Sequence, residues 1–203
     1  MSQNNNNRQK ILMLTELAVL TAIVLVLQLC GIAIPLPFLA TPVSLVLLPI
    51  ALGAMKSGPI AGMWLGAVFG VITVVGGVSG RDAFTSILFA DHPLLTVLLC
   101  MAKAMLAGLA CGLVYKALKK KNEYLALYTA SIITPMVNTG VFILGGLLMS
   151  DTMKSNFVAD GQTVIYFLVI GCAGLNFVFE LLVNILFAPA LRRVLDVLEK
   201  KTA

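Results

Sequence analysis

Apolar residues run along this chain in long blocks, separated by short polar or charged breaks. The blocks lie at about 11–31, 43–56, 59–76, 93–117, 124–149 and 162–188. A helix needs roughly 17–25 apolar residues to cross a bilayer, and most of the blocks reach that. The pattern predicts an all-α integral membrane protein with six transmembrane helices. The second block is short, bounded by Pro42 and by Ser57-Gly58-Pro59, and it contains Pro49. The third is short as well. Such helices persist in a membrane only when neighbours satisfy the backbone groups they leave open. No solenoid-type repeat is visible. The chain therefore reads as one membrane domain over 11–190, between a polar, disordered N-terminus at 1–10 and a basic tail at 191–203.

Charge sets the topology. Arg8, Lys10, Lys56, Lys116, Lys119, Lys120, Lys121, Arg192, Arg193, Lys200 and Lys201 fall on one side of the six-block arrangement, and only Arg81 and Lys154 on the other. Basic residues mark cytoplasmic loops, so both termini are expected in the cytoplasm and the protein in the cell membrane, crossing it many times. The first block is longer than a signal-peptide core and no small-x-small cleavage site follows, so it reads as an uncleaved helix.

Composition agrees. The chain is 60% hydrophobic and 11% charged, against roughly 45–50% apolar residues in soluble domains. One soluble core could not hide that much apolar surface. The net charge of +5 is spread between the blocks and aromatics are few, so no nucleic-acid partner is expected. Cys30, Cys100, Cys111 and Cys172 form no CxxC pair and no Cys/His cluster. They read as reduced packing residues, with no metal and no cofactor. No GxxxxGK[ST], HExxH or GxSxG occurs, so neither an ATP site nor an intramembrane enzyme is expected.

Polar groups inside the blocks carry the functional signal. Each is costly in hydrocarbon unless it is paired or faces a cavity. Lys103 stands about ten residues beyond Pro93, near mid-membrane. Asn176, Glu180 and Asn184 recur at every fourth residue and form one stripe on the last helix. That stripe reads as glue between helices or as the wall of a ligand site, and a Lys103–Glu180 ion pair fits both. Ser131, Thr134, Asn138 and Thr139 interrupt the fifth block. Asn138 offers donors and an acceptor to a ligand or to another helix, and spacing leaves the two open.

Small residues four apart form a second pattern: Ala18/Ala22, Gly62/Gly66/Gly70 and Gly108/Gly112. They let another backbone approach, whether from this chain or from a second protein. The proline-rich stretch at 30–42 is uncharged and reads as a lid or plug. The third loop has glycine hinges, an apolar stretch and then His92, the single histidine, which reads as a cap or loop residue before Pro93 rather than a ligand.

Taken together, these features resemble the substrate-binding S components of energy-coupling factor (ECF) vitamin transporters. The resemblance covers about 11–195 and includes the hairpin at 47–73 with its short Gly58-Pro59 turn. Within that family the chain is most similar to the pantothenate type. Thr85-Ser86 precede an apolar run in the third loop, Lys103 stands where Arg is common, Asn138-Thr139 lie on the fifth helix, and Asn176 and Glu180 on the sixth. It departs in having Lys for Arg, and in lacking the loop's usual second aromatic and its Pro ending.

The resemblance implies a high-affinity subunit that captures a water-soluble vitamin outside and delivers it inward. A transmembrane coupling subunit and two ATPase subunits would be its partners. It implies that Lys103 meets a carboxylate, that Asn138, Thr139, Asn176 and Glu180 serve hydroxyls and an amide, and that Thr85 and Ser86 close the mouth. Ala18 and Ala22 would dock the coupling subunit. Riboflavin, folate, pyrimidine and queuosine-precursor subfamilies share the scaffold and are the alternatives, with a standalone small permease or channel beside them.

Overall fold

The computed structural model describes residues 2–33 and 45–202. Its elements are α1 (Ser2–Ala33), α2 (Leu47–Ser57), α3 (Pro59–Val78), α4 (Ala83–Asp91), α5 (Pro93–Lys119), α6 (Glu123–Leu148), α7 (Ser150–Asn156), α8 (Val164–Tyr166), a π-helix (Phe167–Gly174) and α9 (Leu175–Thr202). No strand occurs among the described residues. Five spans are long and apolar enough to cross a membrane, and α2 is a shorter apolar helix. The protein is therefore an all-α integral membrane protein with the expected number of apolar segments.

The differences from the sequence reading are local. Residues 2–10 are helical in α1 rather than irregular. Extending an existing helix costs far less than starting one, so the apolar run carries the helix back through the asparagines. The third loop is not plain loop either. Asp82 is extended and caps α4, its carboxylate accepting from the Thr85 backbone N–H at 3.3 Å and the Thr85 hydroxyl at 2.6 Å. Asn122 caps α6 in the same way, accepting from Leu125 N–H at 3.1 Å. After the single α turn of α8, the last span continues as a wide π-helix, and such segments recur at functional sites. The lid or plug expected after the first helix lies outside the described residues.

Packing is centred on α3. A Cβ on Gly62 would lie 2.6 Å from the Gly108 carbonyl oxygen, and one on Gly70 would lie 2.8 Å from the Cys100 oxygen. The glycine stripes of α3 and α5 thus serve each other, within this chain. α1 runs parallel to α3: Leu20 and Leu65 both meet Gly53, and the Gln28 amide donates to Thr73 Oγ1 at 3.3 Å. α6 and α9 run antiparallel. Ala126, Leu127 and Ala130 cluster with Ala188, Leu191 and Leu195 at one end, while Asn138 faces Glu180 farther along.

These directions gather the starts of α1, α3 and α6 and the ends of α2, α5 and α9 at one end of the bundle. Lys56, Lys116, Lys119 and Arg192 lie there, with the Arg192 guanidinium 3.6 Å from the Tyr124 ring centre and 3.9 Å from the Glu123 carboxylate. Arg81 and Lys154 follow α3 and lie in α7, at the other end.

Candidate functional site

The polar residues that interrupt the apolar blocks converge on one cavity. It lies between α3, α5, α6 and the last span and is flanked by α4. Lys103 enters from α5, Asn138 and Thr139 from α6, Asn176 and Glu180 from α9, and Thr85 from α4. Glu180 and Asn138 are only 4% and 8% exposed. Spacing explains part of this. Positions 176 and 180 share a helix face, and the antiparallel register sets that face against Asn138.

Lys103 is held between aromatics. Its ammonium lies 5.7 Å from the Phe69 ring centre and 5.5 Å from that of Phe142, within cation–π range. It also acts electrostatically on the Glu180 carboxylate, against which the Asn138 side chain lies. The ion pair expected between Lys103 and Glu180 does not close: among the described residues, no contact joins them within 4.0 Å. Both charges are thus left with bonding capacity toward the cavity. Asn138 Oδ1 is buried without a hydrogen-bond partner. An unmet buried acceptor of this kind costs about 1–3 kcal/mol and marks a place where a donor belongs.

Not every expected residue reaches the cavity. Ser86 does not line it, because one residue along a helix turns the side chain by about 100° from Thr85. The Thr85 hydroxyl is already donated to Asp82. Asn184, the next member of the stripe, lies deeper and donates from Nδ2 to the Glu180 backbone oxygen at 2.8 Å. Thr134 bonds the Ala130 oxygen at 2.8 Å. These two, with Ser131, belong to the helix interface beneath the site.

Other lining residues escaped sequence reasoning. Asp82 adds a second carboxylate, and Gln28, Thr73 and Thr96 add amide and hydroxyl groups. Phe69, Phe84, Phe142 and Phe177 supply an aromatic wall. Asp82 had a legible signal, since Asp just before an apolar run is a helix-start residue. The phenylalanines had none, because they look the same whether they face lipid or ligand. Of the cysteines, three are buried as packing residues should be, and Cys30 is exposed. Cys100 and Cys172 line the cavity. His92 ends α4 and begins α5, the capping position expected of it.

The enclosed space is about 70 Å³, room for a few water molecules. A larger ligand requires the walls to part. The wide π-helix, which contributes Cys172 and Ala173, is the wall element whose backbone departs from α-helical bonding.

On α1, Leu20 and Val24 are buried, whereas Ala18 and Ala22 are exposed on the outer face. This is the one small-residue pair of the sequence reading that the glycine stripes of α3 and α5 do not use.

Against protein-family models, residues 12–192 match the ECF transporter, substrate-specific component. No curated protein matches the chain.

Proposed function

The chain belongs to the substrate-specific components of ECF transporters, and from that premise we propose that it captures a water-soluble vitamin, pantothenate first, in the cavity around Lys103. One observation carries the reading. Side chains from separate helices, each anomalous in an apolar span, line a single cavity. Pantothenate offers a carboxylate for Lys103, and two hydroxyls and an amide for Asn138, Thr139, Asn176 and Glu180. Two carboxylates beside one ammonium favour a ligand that brings several donors as well as an anion. Hydroxyl-rich or ring N–H vitamins meet that condition too. Thr85 stays in the proposed site as a wall residue, and Ser86 is left out of it.

The lysine-rich end is the cytoplasmic one in this reading. The mouth near α4 then faces outward, and both termini lie inside. The ligand enters from that side, and inward delivery depends on a coupling subunit and two ATPase subunits. No step here is enzymatic.

Native mass spectrometry of the detergent-purified protein, before and after a denaturing release, tests the ligand. A released mass equal to pantothenate is expected. Another vitamin's mass keeps the family role and replaces the ligand. Uptake into liposomes by the pure protein alone would instead make it a standalone permease.

The exposed Ala18/Ala22 pair is the proposed seat of the coupling subunit. Ala22→Trp on that face is expected to reduce co-purification with the coupling subunit at least about tenfold, since close helix approach depends on small residues. Vitamin affinity of the isolated protein should not change. Undiminished co-purification of Ala18→Trp and Ala22→Trp would move the docking surface elsewhere.

A further inference from the structure

Asp82 belongs to two structures at once. Its carboxylate caps α4, accepting from the Thr85 N–H at 3.3 Å and the Thr85 hydroxyl at 2.6 Å, and it also lines the vitamin cavity. A carboxylate has room for about four hydrogen bonds, so the cap uses about half of that capacity. The cap also holds the carboxylate in one orientation, and a ligand that bonds to it loses little by ordering it.

The place of Asp82 relative to Lys103 adds a direction. The Lys103 ammonium lies 5.7 Å from the Phe69 ring centre. Thr73, one turn farther along α3, lines the cavity too, and the Asp82 N–H donates to the Gly76 oxygen at 3.1 Å. Gly76 stands seven residues beyond Phe69, which is two helical turns or about 10 Å along the axis. The Asp82 backbone is therefore displaced from Phe69 toward the α4 end of the cavity. Cys100, another lining residue, feels the charge of both Lys103 and Asp82, so the two act on one space. Rings fill the wall beside them. Phe84, on the helix that Asp82 caps, lies 5.9 Å from Phe142, whose ring centre is 5.5 Å from the Lys103 ammonium.

We propose that Asp82 is a specificity-determining residue of this cavity. Its carboxylate accepts a hydroxyl or N–H from the end of the ligand opposite the carboxylate that Lys103 holds, and the rings cover an apolar middle. The inference rests on the vitamin reading above and narrows it to chain-like carboxylic acids that end in a donor. Pantothenate has that form, with a carboxylate at one end and a primary hydroxyl at the other. Its inner hydroxyl and its amide stay with the side chains of α6 and α9.

Calorimetry on the full chain in detergent tests this with two probes, pantothenate and its analogue with hydrogen in place of the terminal hydroxyl. The parent is expected to bind pantothenate at least about tenfold tighter than the analogue, the size of a hydrogen bond to a charged acceptor. Asp82→Asn keeps a helix-capping side chain and should melt close to the parent. It should bind pantothenate about tenfold more weakly and the analogue almost unchanged, so the preference collapses. A merely structural Asp82 would weaken both ligands alike or neither, and either result overturns the proposal. So does a parent that does not distinguish the two probes. If Asp82→Asn does not fold, Asp82→Ser, also a capping residue, replaces it under the same expectations. Lys103→Ala separates this failure from failure of the vitamin reading. Loss of pantothenate binding with Lys103→Ala but not with Asp82→Asn removes only the role of Asp82, whereas a parent that binds no pantothenate removes both.

Discussion

Lys103→Ala is expected to weaken vitamin binding about a hundredfold, ~3 kcal/mol, when measured by calorimetry on the purified protein. The size follows from where the charge sits. Lys103 is near the middle of α5, with its ammonium beside the rings of Phe69 and Phe142 and Glu180 facing the same cavity. A ligand carboxylate brought there leaves water, and only a fixed cation offsets that loss. Lys103→Arg keeps the charge but spreads it over a planar fork, and should cost less than the alanine change. Glu180→Ala should also lower affinity, because it removes an acceptor that the ligand's hydroxyls would use.

A structural role for the pair predicts something different, and stability separates the two. Removing Lys103 alone leaves the buried Glu180 carboxylate without its cation, which is destabilising. Pairing Lys103→Ala with Glu180→Gln removes that imbalance, so the melting temperature should recover while affinity stays lost. If Lys103→Ala and Glu180→Ala both bind pantothenate and the other vitamins as tightly as the parent does, the cavity is not the binding site.

Much of this arrangement was visible before any coordinates, for a reason particular to membranes. Bilayer thickness fixes span length, so the apolar blocks located the spans to within a few residues, except at the polar start of α1 and the charged end of α9, which runs on to Thr202. Hydrocarbon also gives a polar side chain few places to go. Lys103, Asn138 and Glu180 were conspicuous for that reason, and the cavity gathers them. What stayed hidden depends on contacts between segments. Gln28 and Thr73 bond each other at 3.3 Å, yet apart in the sequence neither stands out. The π-helix is apolar throughout, and nothing in its composition sets it apart from an α-helical span. Thr85 and Ser86 could not be told apart until α4 existed to turn one inward. The Gly62/Gly66/Gly70 spacing announced a close backbone contact without saying whose backbone it was.

That contact makes the second large prediction. Gly108→Val is expected to abolish or severely destabilise the folded protein, by ~3 kcal/mol or more. A Cβ at position 108 would run into the Gly62 carbonyl group, and one at position 66 into that of Ala104. Both obstacles are backbone, which cannot rotate aside as a side chain can, so α3 and α5 would have to separate. Separation removes packing along the bundle's central pair, and in lipid that packing is what holds helices together. It also carries Phe69 on α3 away from Lys103 on α5, so any protein that survives should bind the vitamin weakly. Gly140 supplies the contrast. It is mid-helix in α6, and a Cβ there meets nothing within 4 Å. Gly140→Ala should be neutral or stabilise by about 0.5–1 kcal/mol through helix propensity alone. Size-exclusion profiles and thermal melts in detergent distinguish these outcomes. If Gly108→Val melts with the parent, α3 and α5 are not packed backbone to backbone, and the geometry that places Lys103 beside Phe69 fails with it.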